Sequence, residues 1–117
     1  MQINRRILKS LIATARATRE ARAESDKEIR DVRRLIRDVN SALDPHYFAD
    51  GQRHPRHPND ETARQELEIE KVRLSGRLEE LTADNVLLRD SAEHAARLAR
   101  NAKEFATANG IRIEGGE

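Results

Sequence analysis

The chain has 117 residues, of which 37% are charged and 37% hydrophobic, and its only aromatics are Tyr47, Phe48 and Phe105. That length allows one ordinary domain at most. So few bulky groups and a mean hydropathy of -0.85 argue against a compact multilayer core, because small domains already bury a low fraction of their surface. The net charge of +1, from 22 Lys and Arg against 21 Asp and Glu, gives no global case for a polyanionic partner. The absence of cysteine excludes disulfide frameworks and thiolate metal sites, and no apolar run approaches the ~18 residues of a transmembrane helix.

Residues 1–19 carry five Arg and Lys, no acid and several Ser, Thr and Ala, a composition shared with mitochondrial transit peptides. Arg5-Arg6 has the form of a twin-arginine export signal, but Arg16 interrupts any apolar region behind it. The first turns of a long basic helix account for the same residues more simply. From Ile3 to Leu43 there is no Pro and no Gly. Apolar residues recur at 3, 7, 8, 11, 12 and 15, then at 29, 32, 35, 36, 39, 42 and 43, the spacing of one helix face. One heptad frame covers both sets. Leu8, Ala15, Ile29, Ile36 and Leu43 stand at position a, and Leu11, Val32 and Val39 at d. The frame also puts Thr18, Arg22 and Ser25 on the seam, so its middle is polar. The spacing predicts a basic amphipathic helix over 1–43, roughly 60 Å long.

Residues 44–60 break this period with Pro45, Gly51, Pro55 and Pro58. The residue before each proline is pushed toward extended conformations, so a solvated connector is expected. Asn59 or Asp60 is placed to cap the next helix, with Glu61 adding favourable charge in its first turn.

That second helix is predicted over 61–109, stopped by Gly110. Leu67, Leu74, Leu81 and Leu88 recur every seven residues, and Ala95 and Ala102 continue the series. Between them fall Lys71, Leu78, Asn85, Ala92, Ala99 and Ala106. This a/d pattern is a coiled-coil seam. A leucine at every seventh residue with one Asn at a resembles the leucine zipper of basic-zipper transcription factors over residues 67–88. That resemblance implies a continuous basic helix ahead of the zipper, entering the major groove. Here HYFADGQRHPRHPND precedes it instead, so the DNA-binding half of the pattern is missing. In the tail, 110–117, Ile111 and Ile113 alternate like a short strand able to add to a partner's sheet edge.

The two tracts are expected to fold back as an antiparallel hairpin. Residues 1–44 sum to +4 and 60–117 to -4, which favours their pairing. Setting residue 43 beside 61 pairs position i with about 104 − i. Large residues (Ile3, Ile7, Leu8, Leu11, Ile12) then face Ala92, Ala95, Ala96 and Ala99, and small ones (Ala13, Ala15, Ala17, Ala21, Ala23) face Leu81, Val86, Leu87 and Leu88, as space-filling layers require. A connector of about 16 residues is long for a helix-helix turn, and extended it spans roughly 50 Å. A swap of the second helix to another subunit is the rival arrangement.

Chemistry finds little purchase. His54 and His57 are three apart, with His46, Asp44 and Asp50 near, but zinc needs three or four converging ligands and the adjacent arginines repel a cation. Ser10, Ser75, Ser91 and His94 sit in no nucleophile or metalloprotease motif, and the glycines form no phosphate loop. No enzyme, cofactor or metal is expected. The first tract is arginine-rich, but a nucleic-acid-binding helix segregates its cations and leaves acids out. That holds in 1–19, whereas Glu20, Glu24, Asp26, Glu28 and Asp31 interrupt the continuation, and no aromatics interleave to stack bases. The N-terminal segment also has the makings of a helix lying on an anionic membrane, though core packing explains its apolar face more simply. Tyr47 and Phe48 are candidate partner anchors or caps over the hairpin's open end.

The sequence therefore reads as an all-α, oligomeric pair of long helices. Its expected role is a structural or assembly subunit of a larger complex, such as a phage or virus particle, in the cytoplasm or within that particle. A regulatory adaptor binding one target protein and a nucleic-acid binder using the first helix are the alternatives.

Overall fold

A computed structural model of the chain describes residues 5–110. It is an all-α hairpin of two helices, α1 (Arg5–Leu43) and α2 (Glu61–Ala108). Among the described residues the only β pairing is an isolated antiparallel bridge between Ala49 and Gln52. Ile3 and the alternating tail at Ile111 and Ile113 lie outside the described residues.

The helix ends follow local chemistry. Asp44 is the residue before Pro45 and leaves the helical path there. Its backbone N–H still donates to Asn40 (3.1 Å), while its carboxylate accepts from the His46 N–H at 2.9 Å. Asp60 caps α2, accepting from the Ala63 N–H at 2.8 Å and satisfying one of the helix's orphan donors. Beyond Ala108 the chain turns at Gly110, whose φ of 69° suits a residue without a Cβ.

Stretches of both helices pair within each of two compact units. The first holds α1 up to Ser25 and α2 from Asp84 onward. In it Leu8 packs between Ala102 and Ala106, with Leu11 and Ile12 against the same cluster. Ala92, Ala95 and Ala99 are also buried. Burying Leu8 contributes about 2 kcal/mol, and the alanines let the helices approach closely around it. At the polar middle of the seam, Asn85 donates through Nδ2 to the buried Ser25 hydroxyl at 3.1 Å.

The register differs from the one expected. Ser25 meets Asn85 and Leu8 meets Ala102, pairs whose numbers add to 110, so α2 is slid by about six residues from the 104 − i alignment. Leu8 still packs on alanines, but on those of the last turns of α2 instead of Ala95 and Ala96, while Ile7, Val86 and Leu87, expected to pack against alanines, are exposed.

The second unit spans 26–83. Val39, Ala42 and Leu67 form its core, with Leu43 and Leu74 packed against them, and Ile29 and Leu81 are buried as well. On one flank Arg77 of α2 pairs with Glu28 of α1 at 3.2 Å. The connector belongs to this unit and is folded, not extended.

Candidate functional site

The connector carries an elaborate polar construction, built on its own turn chemistry. At Asp50-Gly51 both residues have positive φ, 53° and 76°, and Ala49 and Gln52 exchange two backbone hydrogen bonds of 2.9 Å. This is a two-residue reverse turn of the kind Asp-Gly favours. It sends the following His-Pro-Arg-His stretch back onto the helices.

There the two histidines are fixed by complementary partners. The Arg56 backbone N–H donates to His54 Nδ1 (3.0 Å), so His54 carries its proton on Nε2 and donates to Asp38 at 2.9 Å. His57 is the opposite tautomer. Its Nδ1–H donates to the Ala42 carbonyl at 3.0 Å, and its Nε2 accepts from Arg53 at 2.8 Å. Arg56 spans both helices, reaching Asp38 on α1 (3.2 Å) and Glu70 on α2 (2.5 Å). The hydrogen bond from His54, reinforced by Arg56, holds the Asp38 carboxyl below its usual range, and the bonds to Glu70 and Asp38 raise the Arg56 guanidinium further.

The solvated loop expected from the prolines is thus a clamp across the two helices, with the His54 side chain only 9% exposed. All four ring nitrogens of His54 and His57 are engaged by protein groups. Among the described residues no cluster of three His, Asp or Glu is arranged to hold a metal ion.

The two candidate anchors are parted. Tyr47 is half-buried and packs edge-on against His54, centroids 5.3 Å apart. Phe48 points outward with the Arg53 guanidinium 5.8 Å above its ring. Sequence reasoning missed Asp38, Arg56 and Glu70 as a unit. The Asp-Gly dipeptide was the available signal that the chain turns back.

The seam residues lie as follows. Leu8, Ile29, Val39, Leu67, Leu81, Ala92, Ala95 and Ala99 are buried, while Leu11, Val32, Ile36, Leu74, Leu78, Asn85 and Leu88 are partly buried. Between Leu67 and Ala106, Lys71 alone among the a and d positions of α2 is exposed. Outside the seam, Ile7, Val86, Leu87 and Leu98 are exposed in the first unit, and Leu35, Phe48, Ile69 and Val72 in the second. The first unit also has an open groove floored by Ile12, Ala15, Ala92, Ala96 and Ala99. Arg16, Arg19, Arg22, Lys103 and the single acid Glu93 rim it.

Among the described residues no helix is long and apolar enough to cross a membrane. Compared with protein-family models, curated proteins and solved structures, the chain matches none.

Proposed function

We propose that this protein is a non-enzymatic assembly subunit, a helical hairpin that works by pairing its outer faces with protein partners, including copies of itself. One observation carries the reading. Among the described residues, eleven apolar ones are buried, of which six are alanines and five are larger, whereas eight larger apolar residues remain 40% to 73% exposed. Scattered single apolar residues on a surface need no explanation, but a fold that fills much of its seam with alanine while eight larger apolar residues stay exposed leaves substantial hydrophobic surface facing outward. Ile69 and Val72, one turn apart on α2, are neighbours on such a face. A particle component of a phage or virus is one complex of this kind.

Sedimentation equilibrium tests the reading. The wild-type protein is expected well above its 13.3 kDa chain mass at micromolar concentration. Ile69→Glu with Val72→Glu, both on solvent-facing positions, is expected to lower that mass while helicity stays unchanged. A stable, fully helical species of one chain mass at every concentration would overturn the self-associating form.

That outcome would favour the second reading, an adaptor for a single target. The basic-rimmed groove of the first unit supports it, because four cations against one acid around an alanine floor suit an amphipathic helix with acidic flanks.

A further inference from the structure

We propose that the face of α1 carrying Arg30, Arg33, Arg34 and Arg37 binds the phosphodiester backbone of a nucleic acid without reading its bases. This goes beyond the assembly reading and stands on different residues.

The helical repeat puts these four side chains within an arc of about 100° and about 10 Å of helix length. All four are exposed, and they border a shallow groove floored by Ile36 and Leu78. None has an ion-pair partner among the described residues, whereas Arg56, Arg64 and Arg77 of the same unit are each paired with carboxylates. The acids that interrupt the arginine run in sequence do not interrupt it in space. Glu28 turns to the other flank and pairs with Arg77. Asp38 is taken by His54 and Arg56. Asp31 lies beside the arc, outside it, and is exposed. Asp26 shares the arc's side but stands one turn ahead of Arg30 and is already engaged. The fold therefore pairs Glu28 and Asp38 away from the arc and leaves its four guanidiniums without an ion-pair partner among the described residues.

The ligand class follows from that chemistry. Guanidinium forks match phosphate oxygens in a bidentate geometry that lysine lacks. A duplex presents one charge per ~1.7 Å of axis, so a face of this length meets several phosphates at once. No aromatic or amide side chain lines the groove, so nothing there stacks on a base or reads its edge. Insertion into a bilayer needs large apolar side chains among the cations, and this arc of α1 has none.

Fluorescence anisotropy of the full chain with labelled duplex DNA and duplex RNA of mixed sequence, titrated with salt from about 50 mM upward, tests the proposal. Binding is expected to both, with little sequence preference. If all four arginines engage, the logarithm of affinity falls by about 3 to 4 per decade of salt. Replacing all four arginines with Gln is expected to abolish binding at about 200 mM salt and flatten the slope at lower salt, with circular dichroism unchanged. Arg97→Gln with Arg100→Gln, the same kind of change on exposed positions of α2, is expected to leave the slope intact. No binding at about 50 mM salt would overturn the proposal. So would an unchanged slope in the quadruple variant, or tighter binding to polyglutamate or to phosphatidylserine vesicles than to either duplex.

Discussion

At the scale of single residues, Asp38 ties the connector to the helices. Its carboxylate accepts from both His54 and Arg56, and those bonds lower its pKa from the ordinary 3.8. A carboxyl whose folded value is depressed adds stability that is fully present above its unfolded value and is lost as pH falls through the folded one. The clamp is therefore expected to hold down to about pH 4 and to weaken below it. Asp38 is 43% exposed, so solvent screening keeps the effect small, under about 1 kcal/mol. Thermal melts of wild type and Asp38→Asn at pH 6 and pH 3 check this. Wild type should lose more stability between the two than the variant, and parallel losses would mean that the clamp contributes nothing. Asp60 is a simpler case, and Asp60→Ala is expected to cost about 1 kcal/mol through the lost cap. The two aspartates also mark where sequence reading stops. A cap is set by neighbours three residues away, so Asp60 was legible beside Asn59. Asp38 meets His54 sixteen residues on, and no local pattern announces that meeting.

Among elements, the seam and its register have different origins. The a and d positions of each helix are fixed by spacing along one chain segment, and burial follows that frame from Leu8 to Leu43 and from Leu67 to Ala106, Lys71 apart. Register depends on how far one helix slides along the other, which the connector decides. Packing of Leu67 against Val39 and Ala42 leaves the first turn of α2 beyond the end of α1. There it borders Pro55, Arg56, His57 and Pro58 of the folded connector. Levelling the helix ends at 43 and 61 ignored that overhang, and the slide of about six residues follows from it. Because the chain has no cysteine, the register can be trapped cleanly. Ser25→Cys with Asn85→Cys is expected to form an intrachain disulfide on oxidation, since the two positions face each other across the seam. The 104 − i alignment would instead set Ser25 beside Glu79. Ser25→Cys with Glu79→Cys is therefore expected to stay open, and closure of that pair in place of the 25–85 pair would restore the levelled alignment. The seam itself is sensitive to charge. Leu81→Asp puts an unpaired carboxylate among buried side chains and is expected to destabilise the hairpin by about 3 kcal/mol or more.

Taken as one molecule, the chain combines a near-zero net charge with an uneven surface. Glu28 and Asp38 are paired on one flank of the second unit while four arginines on another have no ion-pair partner among the described residues, and alanine fills much of the seam while several larger apolar groups remain outside. Composition alone showed too few bulky groups for a thick core. It did not show that the bulky groups present would be divided between seam and surface, because that division depends on where each falls in the heptad frame. Two-helix units with so thin a core are marginal by themselves. Any partner that binds only the folded form stabilises it by mass action, so self-association must appear in the melting temperature. For a dimer, each tenfold rise in concentration adds about 1.4 kcal/mol per dimer, which for a chain of this size raises the midpoint by about 3–6 °C. Melts across two decades of concentration are therefore expected to climb, and the climb should disappear in the Ile69→Glu, Val72→Glu variant. A midpoint independent of concentration in wild type would mean that the alanine seam suffices for folding and that the exposed apolar faces do not join copies of this chain.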